Sequence, residues 1–121
     1  MIKVGEHITL DFLGVKKDYS PEFYEKVIYK IAKAAKVEIL NVVSHKFEPQ
    51  GFTLVALLSE SHFSFHTFPE RGIISFDFFT CGKVNPKVAL KILRKEIDHK
   101  RVVTNTFNRS SLGLYEDIYS T

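Results

Sequence analysis

The side chains best suited to chemistry are concentrated in one stretch, residues 57–82 (LLSESHFSFHTFPERGIISFDFFTCG). It holds a Glu60-Ser61 pair, two of the five histidines, His62 and His66, and the only cysteine, Cys81. A serine hydroxyl is a weak nucleophile unless a neighbouring base and oxyanion donors assist it. Histidine and a thiol can supply the proton transfers. Taken singly, the same residues also suit ordinary roles as a solvent-facing pair, a strand histidine and a small buried thiol.

A β-hairpin is predicted to position these groups. Two alternating segments, His62–Phe68 and Ile73–Cys81, flank the tetrapeptide Pro69-Glu70-Arg71-Gly72. Alternation around a Pro- and Gly-bearing turn is typical of a hairpin. Ser61 and His66 would then lie at or in the first strand, and Cys81 would end the second. Rigid elements of this kind can hold a site to a defined geometry.

A metal site is not expected in this hairpin. On a strand, residues four apart are separated by about 13 Å, because each residue advances the chain by about 3.3 Å. His62 and His66 therefore cannot share one ion that each would ligate at about 2 Å.

Composition restricts the class of protein. With 121 residues, of which 45% are hydrophobic, the chain is predicted to form one domain over 1–121 with its own core. It has no apolar run of about 18 residues and no secretion-signal pattern. A lone cysteine excludes an internal disulfide and fits a reducing compartment, so we expect a cytoplasmic protein. The net charge of +3 is spread over helical lysines among glutamates, which does not favour nucleic acid as a partner.

The order of the other elements predicts the architecture. Further strands are predicted at His7–Leu13, Val37–His45, Phe52–Ser59 and Arg101–Phe107. Ser20 and Pro21 favour the start of a helix that ends near Lys36, and Asn85-Pro86 favours the start of a second. This order predicts an α+β fold, a two-layer sandwich of a mostly antiparallel β-sheet with two helices packed on one face.

The other face of the sheet needs a cover. The sequence places apolar residues there, such as the phenylalanines of Ile73–Phe79, and a second copy of the sheet is the simplest cover. We therefore expect a symmetric homodimer. The tail from Asn108 onward has no assigned structure.

The motifs SESHFSFHTFPE and FDFFTCG, with HKFEPQG upstream, resemble the short prokaryotic, pyruvoyl-dependent proenzymes of the S-adenosylmethionine decarboxylase family. The resemblance extends loosely over most of the chain, because length, segment order and motif positions agree. It implies self-cleavage between Glu60 and Ser61 into chains 1–60 and 61–121. Ser61 would become the pyruvoyl group that forms a Schiff base with the substrate amine, and no pyridoxal phosphate or metal would be needed.

The resemblance also implies roles for other residues. His66 would accept a proton during processing, and Thr53, which matches a family serine, would support that step. Cys81 would donate the proton after decarboxylation. Phe47 would stack on adenine and Glu70 would bind the ribose hydroxyls.

Where the sequence departs from the family pattern, alternatives remain open. Glu48 replaces a common serine and Leu54 adds bulk, so the pocket could take the extra cation of arginine or ornithine, which some relatives decarboxylate. The expected function is decarboxylation of S-adenosylmethionine in polyamine biosynthesis, with arginine or ornithine as the alternative substrate. A second alternative is an inactive paralogue that regulates a working copy.

Overall fold

The structure is a computed structural model, and it describes residues 3–81 and 83–110. Six strands and two helices make up this part of the chain. In order they are β1 Lys3–Leu13, α1 Pro21–Ala35, β2 Ile39–Lys46, β3 Phe52–Leu58, β4 Ser61–Phe68, β5 Ile73–Thr80, α2 Val88–Glu96 and β6 Arg101–Ser110. A short 3₁₀ turn, Pro69–Arg71, joins β4 to β5. The predicted hairpin is confirmed.

All six strands form one sheet in the order β2-β3-β4-β5-β1-β6, and each neighbouring pair is antiparallel. The two helices pack against each other and against one face, so the predicted α+β two-layer sandwich is confirmed. The core lies between the layers. Its largest fully buried side chains are Tyr24, Phe12, Phe63, Phe65, Phe76 and Phe78.

Local sequence accounts for the ends of α1. The Ser20 hydroxyl accepts a hydrogen bond from the Phe23 N–H at 3.3 Å, and Pro21 occupies the first turn. The helix ends at Lys36, which takes the left-handed conformation with φ of 60° although it is not glycine. The predicted bounds are thus confirmed. Helical spacing predicts an apolar stripe at Phe23, Val27, Ile31 and Ala34. The buried face is displaced from it, because Ala35 is buried whereas Ala34 is exposed.

Helix α2 begins later than the Asn85-Pro86 signal indicates. The Asn85 side-chain oxygen accepts from the Lys87 N–H at 3.0 Å, which closes a turn ahead of the helix. The helix itself runs from Val88 and has no side-chain N-cap. Its fully buried residues are Ala89 and Leu93, while Val88 and Ile92 pack at the edge of the core.

The face of the sheet opposite the helices, which we call the open face, differs from the prediction in its residues. Phe76 and Phe78 point into the core, because alternation on β5 turns Ser75, Asp77 and Phe79 outward instead. The exposed apolar residues of the open face come mainly from the outer strands. They are Val43, Val55, Leu57, Val103 and Phe107, which are between 37% and 65% exposed.

Strand β3 is buried on one face only, since Val55 and Leu57 alternate with buried Leu54 and Ala56. Strand β6 continues to Ser110, three residues beyond the predicted Phe107. The rest of the tail lies outside the described residues. No helix in the described part of the chain is long and apolar enough to cross a membrane.

Candidate active site

The Glu60-Ser61 bond lies at a tight hairpin turn between β3 and β4. Leu58 pairs with Ser61 across the hairpin, which leaves only Ser59 and Glu60 in the turn. Two hydrogen bonds fasten this turn to the chain after α1. The Glu38 N–H donates to the Ser59 hydroxyl at 3.2 Å, and the Ser59 N–H donates to the Glu38 carbonyl at 2.9 Å. The bond proposed for cleavage is therefore held in one place.

Ser61 and Cys81 meet at this turn, because Ser61 pairs with Thr80 on the neighbouring strand β5. The Cys81 thiol donates to the Glu60 carbonyl oxygen at 3.0 Å. That carbonyl belongs to the peptide bond that a Ser61 attack would break. A donor at this oxygen stabilises the negative charge that develops when a nucleophile adds to the carbonyl carbon. We call Glu60, Ser61 and Cys81 the cleavage cluster.

Among the described residues, no base lies within hydrogen-bond distance of the Ser61 hydroxyl. Its Oγ is buried and has no hydrogen-bond partner among the described residues. Buried polar atoms nearly always have a partner, so an exception is a candidate for a functional group. The cleavage cluster supplies an oxyanion donor and a nucleophile, but within residues 3–81 and 83–110 no proton acceptor lies within hydrogen-bond distance of the Ser61 Oγ.

A second group of predicted residues lies at the other end of the same two strands. Thr53 pairs with His66 across β3 and β4, and the Thr53 hydroxyl lies 3.0 Å from the His66 Nδ1. This contact holds the imidazole in place and leaves its other nitrogen available for proton transfer. Both side chains point to the open face.

The residues expected to bind substrate lie near Thr53 and His66, not near Ser61. Phe47 follows β2 and is 47% exposed, and its N–H donates to the Gly51 carbonyl at 2.9 Å, which closes the loop that carries Glu48. Glu70 is exposed in the turn that follows β4. We call Thr53, His66, Phe47, Glu48 and Glu70 the substrate cluster.

The structure therefore does not bring all the predicted site residues together within one chain. Ser61 and His66 are five residues apart on β4, which corresponds to about 16 Å along an extended strand. The Ser61 Oγ is buried at one end of β4, whereas His66 is exposed on the open face near the other end.

A polar network in the middle of the open face was not predicted. Asp77 accepts hydrogen bonds from the Ser64 hydroxyl and from His7 Nε2, the latter at 2.7 Å. His62 Nε2 lies 4.0 Å from the same carboxylate. Polar residues at every second position of the otherwise apolar strands β1 and β5 are the signal that could have revealed it.

A second pair extends this network, because the Ser75 hydroxyl donates to Asp11 at 2.7 Å. These groups other than His62, together with His66, line an open groove of about 550 Å³. Among the described residues that line the groove, Asp11 and Asp77 supply the carboxylates. His7 and His66 are the only lining side chains that can carry a positive charge.

Comparison with known proteins gives consistent matches. The sequence profile of the S-adenosylmethionine decarboxylase family matches residues 6–110. An S-adenosylmethionine decarboxylase proenzyme of Prochlorococcus marinus (strain MIT 9313) is 40% identical over 111 residues, which cover 89% of each chain. The proenzyme of Parasynechococcus marenigrum (strain WH8102) is 43% identical over 117 residues, covering 94% of this chain and 91% of the other.

A solved structure agrees with these sequence matches. The crystal structure of the adenosylmethionine decarboxylase from Aquifex aeolicus vf5 superposes with a TM-score of 0.81 at 27% sequence identity. The superposition covers 98% of this chain and 100% of that one.

Proposed function

Because this chain belongs to the S-adenosylmethionine decarboxylase family, a family of carboxy-lyases, we propose that it is a self-processing, pyruvoyl-dependent decarboxylase of S-adenosylmethionine. The observation that carries the proposal is the hydrogen bond from the Cys81 thiol to the Glu60 carbonyl. That carbonyl precedes Ser61 in a two-residue hairpin turn. The relatives' name supports the substrate, and the fold agrees with a solved family member.

In the first step, the Ser61 Oγ attacks the Glu60 carbonyl carbon and the peptide becomes an ester. The thiol of Cys81 stabilises the oxyanion of that step, because it already donates to the same oxygen. Loss of the Ser61 Cα proton then expels the Glu60 carboxylate, and water hydrolyses the resulting enamine to release ammonia. The products are chain 1–60 and a chain 61–121 that begins with a pyruvoyl group.

The pyruvoyl group supplies the electron sink that decarboxylation of an amino acid requires. The residues present fit it, since the Ser61 hydroxyl from which it derives is buried and unpartnered within the described chain. After carbon dioxide leaves, the substrate carbon must take up a proton from a positioned acid. Cys81 is adjacent to position 61 across the sheet and serves as that acid.

Because no base lies beside the Ser61 Oγ among the residues that the structure describes, we propose a homodimer with shared sites. One chain carries its cleavage cluster and its substrate cluster at opposite ends of β3 and β4, separated by about 16 Å. If two open faces pack against each other about a two-fold axis that lies between them and runs across β3 and β4, the cleavage cluster of each copy lies beside the substrate cluster of the other.

The chemistry of the open face supports this arrangement. Val43, Val55 and Leu57 form an exposed apolar strip on β2 and β3, and Val103 and Phe107 form another on β6. Exposed apolar groups on this scale favour burial against a partner. In the dimer, His66 and Thr53 of one copy would serve Ser61 of the other.

The substrate cluster contains an aromatic ring, Phe47, and a carboxylate, Glu70, and these two groups suit a nucleoside that carries a sulfonium. Phe47 is exposed in its loop, and a ring face binds a base and attracts a cation. Glu70 would accept hydrogen bonds from the ribose hydroxyls. Glu48 is an additional exposed carboxylate in the Phe47 loop, and it is the feature that favours arginine or ornithine as the alternative.

Intact mass under denaturing conditions tests the proposed cleavage. We expect two fragments divided between Glu60 and Ser61, with the C-terminal one lighter by one ammonia than a chain that starts with serine. Trapping with borohydride in the presence of S-adenosylmethionine, arginine or ornithine then identifies the substrate. A single uncut chain would contradict the proposal and favour the regulatory paralogue.

A further inference from the structure

A cleft on the helix side of the sheet opens directly beside the proposed cleavage point. Its volume is about 340 Å³, and it lies between the end of α1, the start of α2 and the β3–β4 turn. Three charged residues line it: Lys36, Glu60 and Lys83. Neither the open face nor the substrate cluster contributes to it.

The charges in this cleft do not balance in the uncut chain. Two lysines face one glutamate, and in the described part of the chain neither lysine forms an ion pair with any carboxylate. Cleavage changes the net charge of the cleft, because Glu60 gains a second negative charge on its new α-carboxylate. Two cations then face two anions.

The new chain end cannot move far from the lysines. Ser59 is held by its two hydrogen bonds to Glu38, at 3.2 and 2.9 Å, and both bonds lie on the N-terminal side of the cut. They are therefore retained after cleavage. One residue of extended chain spans at most about 3.6 Å, so the α-carboxylate of Glu60 stays beside the cleft.

We propose that Lys36 and Lys83 form a receiving site for the α-carboxylate that cleavage creates on Glu60. This inference rests on the proposed self-cleavage. The Cβ–O bond of the ester breaks, the carboxylate leaves with the electron pair, and the two ammonium groups take it into the cleft. The site ties the two fragments together and moves a negative charge away from position 61, where a substrate carboxylate must approach.

The experiment compares cut and uncut protein that carry the same lysine substitutions. The test variant is Lys36→Met with Lys83→Met, made in the wild-type chain and in Ser61→Ala, which cannot be cut. Methionine is chosen because it keeps the unbranched stem and, unlike glycine, leaves the cost of the left-handed conformation at position 36 unchanged. Lys33→Met with Lys91→Met is the control, since both lysines are exposed on the helices and neither lines the cleft.

Intact mass first establishes which samples are cut, and thermal unfolding follows at low and high salt. In the cut protein we expect the test pair to lower the Tm by about 3 °C more than in the uncut Ser61→Ala protein. The control pair should give no such difference. The extra loss should disappear at about 1 M salt, where charges are screened within about 3 Å.

The outcomes separate this inference from the proposed function. If wild-type protein is cut but the test pair lowers the Tm equally in both backgrounds, or not at all, the receiving site is wrong and the self-cleavage stands. If the mass spectrum gives only uncut wild-type chain, the self-cleavage is contradicted and the receiving site with it.

Discussion

Replacement of Cys81 by alanine should slow self-cleavage without unfolding the protein. The thiol donates to the Glu60 carbonyl oxygen at 3.0 Å, which is the oxygen that becomes negative when Ser61 attacks. In Cys81→Ala the same oxygen loses this donor at the moment when charge develops. Cys81 is exposed, so its truncation leaves no cavity in the core.

The size of the effect follows from that single contact. Loss of one oxyanion donor typically slows a reaction by about 10² to 10³-fold. A thiol is a weaker donor than an amide, so we expect the lower end, about 10²-fold, which corresponds to about 2.7 kcal/mol of barrier. The free energy of unfolding should change by no more than about 0.5 kcal/mol, as for other exposed positions.

The assay follows cleavage from the moment of synthesis. The chain is made in a cell-free system, samples are quenched in denaturant at intervals, and intact mass gives the cut fraction. Cys81→Ser is the matched control, because its hydroxyl can still donate a hydrogen bond but reaches less far than the thiol. We expect this variant to be cut at a rate between those of wild type and Cys81→Ala. Cleavage of Cys81→Ala at the wild-type rate, with the fold unchanged, would refute the role of the thiol in processing.

Three other substitutions probe the remaining parts of the site. Thr53→Val removes the hydroxyl that lies 3.0 Å from His66 and should slow cleavage about tenfold by the same assay, whereas Thr53→Ser should be cut at least as fast as wild type. Leu57→Asp places a charge on the open face, where Leu57 is 52% exposed, and the variant should be an uncut monomer by sedimentation and intact mass. The control is Tyr29→Asp on the outer side of α1, where Tyr29 is 59% exposed, and it should remain a cut dimer. A folded Leu57→Asp monomer that is cut normally would contradict the shared site. Phe47→Ala should raise KM for S-adenosylmethionine about tenfold with normal cleavage, and an unchanged KM would exclude stacking on this ring.

Local sequence signals predicted the helices, strands and turns well, because the ends of these elements depend on residues that are close in the chain. Ser20 and Pro21 begin α1 through contacts within one turn, and the Pro69–Gly72 turn joins two strands that are adjacent in the chain. Helix faces were less well predicted. Tyr24 is buried against Phe52 and Phe65 and fixes the rotation of α1, and these contacts come from strands far along the chain. Burial also raises the pKa of Tyr24 above its ordinary value, with Asp18 as the next contributor.

The site residues were predicted individually, but their arrangement was not. The motifs indicate Ser61, His66 and Cys81 as candidates, but no alternation pattern predicts the hydrogen bond from the Cys81 thiol to the Glu60 carbonyl. That contact depends on the register that pairs Ser61 with Thr80, two residues about twenty positions apart in the sequence. The His7–Asp77 pair bridges 70 residues, and only the sheet order brings β1 beside β5.

Complementation between two inactive chains tests the shared site most directly. Ser61→Ala and His66→Ala, distinguished by mass tags, are made separately and then together, and intact mass reports which chain is cut. We predict that neither chain is cut alone. In the mixed dimer, the His66→Ala chain is cut by His66 of the Ser61→Ala chain, and the Ser61→Ala chain stays whole. If the two chains assemble into mixed dimers and the His66→Ala chain remains uncut, Ser61 and His66 do not act across two copies, and the proposed dimeric site is contradicted.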